Sequence, residues 1–412
     1  MAKERVAAAI DVGTTKICTL VGTSDRDGET QVIGVGITPS RGIRKGIVVN
    51  IDETVESVQA SVEKAERSSG YRVVSAYVGI AGGHVSSTNN RGVVAVSRGD
   101  HIITSEDVTR AIESARAMNL PSNREVIHIV PRYYTVDGQD GVRNPIGMHG
   151  FRLDVETHIV TGAVTSIQNL TKCIQRAGVE VEDLVLSSLA SSEAVVSEEE
   201  KDMGVVLADI GGGTTDIAVF LDGSIWHTAI LPVGGYHVTN DIAIGLRTPF
   251  AVAEDLKIRH GHAAPSSLAP DETIDITTFG SDSFKPTARR NLADIIEARV
   301  AEIVSMIMGE VKSAGFNGFL AAGMVLSGGT ASLPGVDWLA SEITGLPVRI
   351  AKPKSIHGLV DAIANPAYAT SVGLLSWGLR HTEVEVPGVP RLRGVGEMAK
   401  RFSVWMKELL PQ

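Results

Sequence analysis

The hydrophobic positions of this chain form short apolar runs that alternate with longer amphipathic stretches. Consecutive apolar residues predict strands at residues 6–22, where a turn divides the run, and at residues 31–37 and 73–80. Residues 52–69 carry apolar side chains at helical spacing and end before a glycine, so we predict a helix there. Strands that alternate with helices over most of the chain predict an α/β fold.

Residues 84–161 interrupt this pattern with short strands around one helix, which starts near Glu106. We therefore predict a compact α+β subdomain that is inserted into the first half of the chain. The polar, proline-containing stretch 264–286 is predicted as loop and short strand. Further helices are predicted at residues 166–177, 238–260, 290–314 and 366–379.

Two segments far apart in the chain resemble each other. In each, an apolar run ends in an aspartate (Asp11 or Asp209), a Gly/Thr turn follows, and a second apolar run begins. This order predicts strand, tight turn, strand. The glycine-rich loops of dinucleotide-binding folds and P-loops lead into a helix instead, so neither of those sites fits.

The residue types of these hairpins suit a phosphate and its metal ion. Glycines allow the backbone to approach a ligand closely, and successive N–H groups with threonine hydroxyls bind anions. Carboxylates at the strand ends suit Mg²⁺, which they would contact through water, and we assign this role to Asp11 and Asp209. The predicted phosphate-binding residues are Gly13, Thr14, Thr15, Lys16, Gly211, Gly212, Gly213, Thr214 and Thr215.

Composition and charge limit the classes of protein to which this chain can belong. The chain has 412 residues, enough for two or more domains, and its net charge of -10 argues against a general nucleic-acid binder. The two cysteines, Cys18 and Cys173, lie in apolar segments and are predicted to be buried, reduced thiols. The N-terminal residues lead into a strand without a signal-type apolar stretch, and no run of 18 apolar residues predicts a membrane span.

The order of these motifs resembles the superfamily of actin, Hsp70 and the sugar kinases, in which two α/β domains close over ATP. The segment with Gly328, Gly329 and Thr330 is similar to the adenosine motif of that superfamily. Glu254 and Lys257 match a helical motif whose side chains reach the ribose and base. The resemblance therefore implies ATP and Mg²⁺ as ligands and nearly the whole chain as one actin-like ATPase fold.

Within that superfamily the chain resembles the FtsA family of bacterial cell-division proteins. Residues 234–249 resemble that family nearly residue for residue, and the inserted subdomain lies where the family carries one. The resemblance adds Gly234, Gly235 and Asn240 to the expected ATP site. It implies a first actin-like domain at residues 1–83, 162–204 and about 360–380, with an inserted subdomain at 84–161. The second actin-like domain would comprise residues 205–240 and 315–359, with its own subdomain at 241–314. A linker at residues 381–396 and a terminal helix at 397–412 would follow.

The C-terminal segment has the pattern of an interfacial membrane helix. Five apolar side chains fall on one stripe of a helix, at Met398, Phe402, Trp405, Met406 and Leu409. The basic residues beside or opposite that stripe are Lys400, Arg401 and Lys407. A tethered helix of this kind suits an anionic lipid surface. The alternative is a terminal helix that packs on its own domain.

The family resemblance also implies partners and a location. These are the C-terminal tail of the tubulin-like protein FtsZ, further copies of the chain in an actin-like filament, and later division proteins on the inserted subdomain, but no nucleic acid. The location implied is the cytoplasmic face of the bacterial membrane at the midcell septum. The tail site would lie within residues 241–314, with Arg289, Arg290, Arg299 and Glu302 as contacts.

The resemblance carries no catalytic group over to this chain. Related ATPases have a Glu-Pro pair before the second hairpin, whereas the nearest stretch here, residues 186–193, has serines in place of that pair, and Glu193 is expected to face away from the nucleotide. Without a group that orients water, we expect at most slow hydrolysis. Three alternatives remain: a scaffold for pilus assembly, a small-molecule kinase of the same fold, and an Hsp70-type chaperone ATPase.

Overall fold

The computed structural model of the chain describes residues 5–24, 30–97, 99–280, 284–316, 320–354 and 356–381. The predicted terminal helix at residues 397–412 and all but the first residue of the predicted linker lie outside the described residues.

Strands and helices alternate along both halves of the chain. The first half contains β1 (Arg5–Val12), β2 (Lys16–Ser24), β3 (Thr30–Pro39), β4 (Ile43–Arg44), β5 (Ile47–Val48), α1 (Ile51–Ser69), β6 (Ser75–Ile80), β7 (Ser86–Ala95), α2 (Ser105–Arg116), β8 (Arg124–Val136), β9 (Gln139–Val142), β10 (Arg152–Ala163), α3 (Val164–Arg176), β11 (Glu180–Leu186), α4 (Ser187–Val195) and α5 (Glu198–Met203).

The second half contains β12 (Val205–Ile210), β13 (Thr215–Leu221), β14 (Ser224–Leu231), α6 (Gly235–Gly245), α7 (Phe250–His260), β15 (Thr273–Thr277), β16 (Phe284–Ala288), α8 (Arg289–Ser313), β17 (Gly323–Ser327), α9 (Val336–Thr344), β18 (Val348–Ile350), β19 (Ile356–Gly358) and α10 (Ala369–His381). Short 3-10 turns lie at Pro265–Ser267, Gly329–Ser332 and Pro366–Tyr368.

Two sheets repeat the same arrangement, and each has a Gly/Thr hairpin inside it. The first sheet has the order β11-β6-β1-β2-β3-β19 and the second the order β14-β13-β12-β17-β18. In the hairpins, β1 pairs antiparallel with β2 and β12 with β13. The α/β class and the duplicated strand–turn–strand pattern are therefore confirmed.

Two expectations about single elements were wrong. The predicted helix 238–260 is two helices, because the chain turns at Thr248 and Pro249 before α7 starts. Proline disfavours a helical conformation in the residue before it, which explains the break. The strands of the inserted subdomain are longer than expected, since β8 has 13 residues and β10 has 12.

The inserted subdomain is a four-stranded sheet with the order β7-β10-β8-β9. Helix α2 packs on it, and the apolar side chains between them include Val108, Ile112 and Leu153. Strands β7, β8 and β10 of this sheet contact β14 of the second half. The subdomain is therefore inserted in the first half but touches the second half as well.

A row of polar contacts, which we call the seam, joins the inserted subdomain to β14. The Ser87 hydroxyl donates to the Thr228 carbonyl over 2.8 Å, and the Ser224 hydroxyl donates to the Arg132 carbonyl over 2.7 Å. Between these contacts, Nε2 of the buried His158 lies 2.9 Å from Oγ1 of Thr228. Burial makes each of these polar contacts important, because an unpaired buried group is destabilising.

The imidazole of His158 is neutral at physiological pH, because burial lowers its pKa to about 3. Its Nδ1 lies 2.7 Å from the amide oxygen of Asn89, which can only accept a hydrogen bond. Nδ1 therefore donates to Asn89, and Nε2 accepts from the Thr228 hydroxyl.

We expect Thr228→Val to destabilise the protein by about 1–3 kcal/mol, because it leaves His158 Nε2 buried without a donor. Denaturant unfolding measures the change. The matched control is Thr88→Val on β7, where the side chain is exposed and the expected change is within about 0.5 kcal/mol. Equal stability of the two variants would show that the contact between His158 and Thr228 contributes nothing.

Candidate functional site

The two Gly/Thr turns lie against each other. A Cβ atom added to Gly213 would lie 2.7 Å from the Thr14 hydroxyl, and one added to Gly212 would overlap the Thr15 methyl group. Only glycine fits at such a close approach of backbone to side chain. The structure thus brings the two sequence-predicted turns, one from each half, into a single site.

Hydrogen bonds close each turn in the same way. The Gly13 amide donates to the Lys16 carbonyl over 3.1 Å, and the Gly211 amide donates to the Thr214 carbonyl over 2.9 Å. The side chain of Lys16 points to a neighbouring segment: its ammonium donates to the Ala367 carbonyl and lies 4.5 Å from the centre of the Tyr368 ring.

Helix α10 holds the two predicted metal-binding carboxylates. The Ser371 hydroxyl donates to Asp11 over 2.8 Å, and the adjacent Thr370 hydroxyl donates to Asp209 over 2.9 Å. These two hydroxyls were not identified from the sequence, because no local pattern marks a residue that lies more than 150 positions from its partner. The carboxylates of the two halves are therefore fixed by one helix.

Asp216 is a third carboxylate of the site and was not assigned from the sequence. It lies opposite Asp209 in the pairing of β12 with β13, and its Oδ2 accepts from the Thr214 hydroxyl over 3.1 Å. Its Oδ1 is buried and has no hydrogen-bond partner among the described residues. A buried carboxylate oxygen without a donor is the kind of atom that a cation or its water shell would satisfy.

Burial and mutual repulsion disfavour the ionised forms of these carboxylates. Burial raises the pKa of Asp209 to about 6 and that of Asp216 to about 8, and nearby carboxylates act in the same direction. Burial also raises the pKa of Asp11. In the part of the chain that the structure describes, no three His, Cys, Asp or Glu side chains converge to ligate a metal directly. A divalent cation here would fit if water or phosphate oxygens completed its shell.

The start of α6 fixes the second turn. The Gly235 amide donates to the Gly211 carbonyl over 2.9 Å, and the Tyr236 amide donates to the Gly212 carbonyl over 2.8 Å. A Cβ atom on Gly234 would lie 2.5 Å from the Gly211 oxygen. The predicted residues Gly234 and Gly235 thus belong to the site, whereas the side chain of Asn240 is exposed one turn further along the helix.

The Glu254–Lys257 pair lies beside this turn as the motif requires. The buried Lys257 ammonium donates to Glu254 over 2.8 Å, to the Thr239 hydroxyl over 2.9 Å and to the Gly235 carbonyl over 3.3 Å. Thr239 was not identified from the sequence. These contacts tie α7 to the start of α6.

The predicted adenosine motif also packs against the second turn. The Thr330 hydroxyl donates to the Gly211 carbonyl over 3.0 Å. Gly328 has a φ of 84°, and a Cβ atom there would overlap Asp209, so glycine is needed for both reasons. The exposed Gly329 leaves backbone accessible beside the turn.

Several candidate residues have other contacts. The Thr215 hydroxyl is buried and donates to the Val233 carbonyl over 2.9 Å, so its role at a phosphate stays a prediction. Although burial opposes ionisation, Lys201 and Arg380 pair with Glu193 and lower its pKa. The predicted tail-binding residues Arg289, Arg290, Arg299 and Glu302 all lie on α8, a separate region.

Comparisons with known proteins agree with this geometry. The chain is 43% identical over 376 residues to the cell division protein FtsA of Pseudomonas aeruginosa, with 91% of this chain and 90% of the relative covered. It is 39% identical to FtsA of Neisseria meningitidis, with 98% and 99% covered. The chain belongs to the FtsA family. The family model "Cell division protein FtsA" matches residues 206–373, and the model "SHS2 domain inserted in FTSA" matches residues 82–161.

Solved structures confirm the actin-like fold, and the second family model confirms the inserted subdomain. A PilM-PilN type IV pilus biogenesis complex aligns with a TM-score of 0.67 at 14% identity, covering 90% of this chain and 98% of the other. MreB5 of Spiroplasma citri bound to ADP aligns with a TM-score of 0.52 at 14% identity, covering 89% and 95%. At these identities the likeness shows the fold alone. Because the curated relatives are cell division proteins, they do not favour a pilus scaffold or a small-molecule kinase.

No helix within the described ranges is long and apolar enough to span a bilayer.

We expect the stability of the cation-free protein to fall as the pH rises from about 4 towards 8. The folded pKa values of Asp209 and Asp216 are about 6 and 8, above the value of about 3.9 in an unfolded chain, so the folded state binds more protons across this window. Thermal unfolding against pH in EDTA measures the slope.

Asp216→Asn should flatten this slope, because it removes the carboxylate with the higher of the two raised pKa values. The control is Asp222→Asn in the exposed turn between β13 and β14, which should leave the slope unchanged. The same slope in the wild type and Asp216→Asn would contradict the assignment.

Proposed function

We propose that the chain binds ATP with Mg²⁺ where the two Gly/Thr turns meet, and that it acts in cell division as a membrane-bound, self-associating tether for FtsZ. The observation that carries the nucleotide proposal is the meeting of both turns beside three buried carboxylates. Bound Mg²⁺ would supply positive charge to carboxylates and phosphates that otherwise repel each other.

Different residues would bind different parts of the ligand. The amides and hydroxyls of Gly13–Lys16 and Gly211–Thr214 would hold the phosphates. Asp11 and Asp209, fixed by α10, would hold the cation through water. Gly328–Thr330 with Glu254 and Lys257 would surround the adenosine. Because these parts come from both halves, a bound nucleotide would stabilise the closed arrangement.

Hydrolysis by this site should be slow. Glu193 is paired with Lys201 and Arg380, and the Ser187 hydroxyl donates to the Ile80 carbonyl over 3.2 Å. Serines stand where related ATPases carry a Glu-Pro pair, and the nearby Glu193 carboxylate is held by these two cations. We infer that ATP serves mainly as a structural ligand, and a turnover above about 1 s⁻¹ would contradict this.

Membrane attachment would rest on residues 397–412. Basic residues near anionic lipid contribute about 1 kcal/mol each to the binding free energy, and burial of the apolar stripe in the membrane interface contributes as well. Ordering a short helix opposes both, so one copy would bind reversibly. Linked copies would bind far more firmly through effective concentration, which gives a physical reason for self-association.

The FtsZ tail is proposed to bind on α8, where three arginines are already engaged. Arg299 contacts both oxygens of Asp241, at 2.5 and 3.1 Å, and also pairs with Glu302. Arg289 donates to Glu272, and Arg290 donates to the Leu268 carbonyl. An acidic tail would therefore have to compete with Asp241 for Arg299.

Co-sedimentation with anionic liposomes tests the membrane and nucleotide proposals together. We expect the full chain to pellet, more strongly with Mg-ATP, because ATP would promote linked copies. A chain ending at Glu397 should stay in solution but still bind ATP. Equal pelleting of the two chains would exclude the terminal helix as the anchor.

Arg299→Gln should weaken binding of an acidic and apolar tail peptide about fivefold or more, because a charge-assisted hydrogen bond is lost. Asp241→Asn is the matched variant, since it releases Arg299 and should leave binding unchanged or tighter. Fluorescence anisotropy of a labelled peptide measures both. Unchanged binding by Arg299→Gln would remove this residue from the tail site.

A further inference from the structure

The small hairpin of β4 and β5 is fixed against the first Gly/Thr turn. The Gly46 amide donates to the Thr14 hydroxyl over 3.2 Å. On its other side Gly46 packs against Gly82, where an added Cβ atom would lie 2.9 Å from the Gly82 backbone. The tip of this hairpin is therefore held beside the turn that faces the second half.

Lys45 occupies this tip in an unusual conformation. Its φ is 51°, in the left-handed region that side chains other than asparagine, aspartate and glycine rarely adopt. Its side chain is exposed, and nothing in the described part of the chain forms a hydrogen bond or ion pair with its ammonium group. Lys45 and Gly46 both have a positive φ, as the two central residues of a tight hairpin turn require, and the turn presents an unpaired cation at its tip.

The tip of this hairpin lies where the two halves meet. The Thr14 hydroxyl that accepts from the Gly46 amide is the same hydroxyl that lies against Gly213 of the second turn. Burial lowers the pKa of His237 in the second half, and the positive charge of Lys45 acts in the same direction. Lys45 therefore neighbours the point at which the two turns come together.

The other two lysines beside the turns already have partners within the fold. The ammonium of Lys16 is bound to the Ala367 carbonyl and the Tyr368 ring. The Lys257 ammonium is bound to Glu254 and Thr239. Lys45 is thus the lysine beside the turns whose ammonium is uncommitted.

We propose that Lys45 contacts the terminal phosphate of the bound nucleotide and so distinguishes ATP from ADP. This inference rests on the proposed ATP site. A lysine is a strong point charge for phosphate, and its partner phosphate is present in ATP but absent from ADP. The first half would then recognise the nucleotide state through the tip of the β4–β5 hairpin.

The test compares the dissociation constants of Mg-ATP and Mg-ADP, measured by calorimetry on the full chain. Lys45→Asn removes the charge while asparagine tolerates a positive φ, so the hairpin should keep its shape. We expect ATP binding to weaken about tenfold or more, and ADP binding to change by less than about twofold. Lys45→Arg keeps the charge and should bind ATP within a few-fold of the wild type.

The matched control is Arg44→Gln, which removes an exposed charge from the same hairpin and should leave both constants unchanged. Lys45→Gly, which also tolerates the positive φ, should reproduce Lys45→Asn, and thermal unfolding checks that both are folded. The proposal is overturned if Lys45→Asn binds ATP normally, if ATP and ADP weaken equally, or if Arg44→Gln has the same effect. If the wild type binds neither nucleotide, the proposed ATP site itself fails.

Discussion

Two carboxylates that belong to different halves of the molecule are held by neighbouring hydroxyls of one helix. Thr370 and Ser371 at the start of α10 donate to Asp209 and Asp11, and this pair of hydrogen bonds fixes the distance between the two Gly/Thr turns. Helix α10 can pack this closely against α4 because Gly373 contacts the Ala190 carbonyl, where any Cβ atom would overlap the backbone. The rest of the site is built around that fixed point.

The same constraint makes the centre of the molecule dependent on its ligand. Buried carboxylates in close proximity favour the protonated form, as the raised pKa of Asp216 shows. Near neutral pH the closed arrangement therefore carries an electrostatic penalty that a cation removes. A ligand that binds only the folded, closed state stabilises it by an amount that grows with the ligand concentration. Under the proposed function, this linkage would let a nucleotide act without being consumed.

Local sequence patterns were sufficient for the parts of the site that lie next to each other in the chain. The two hairpins, the Gly328–Thr330 segment and the Glu254–Lys257 pair were all found, since each carries its signal within a few residues. Thr370, Ser371 and Asp216 were missed because their roles depend on contacts across the fold. The proposed role of Lys45 has no sequence signal for a different reason: the two-residue strands β4 and β5 are too short to give a hydrophobic period. Pro249 is a different case: a proline in the sequence already indicates a helix break before it, yet one continuous helix was predicted across it.

The inserted subdomain is coupled to the site by its position between the halves. Its chain enters and leaves through the first half, yet its His158 and Ser87 side chains bond to Thr228 on β14 of the second half. Strand β14 pairs directly with β13, which follows the second Gly/Thr turn. A movement that separates the two turns must therefore either break the seam or carry the subdomain with the second half. Breaking it would leave Nε2 of His158 buried without a donor. Carrying the subdomain would instead break the hydrogen bond from the Leu186 amide to the imidazole of His128 on β8, which ties the subdomain to the first half. Burial lowers the pKa of both imidazoles, so either movement leaves a desolvated ring nitrogen without a partner, and the subdomain opposes separation of the two halves.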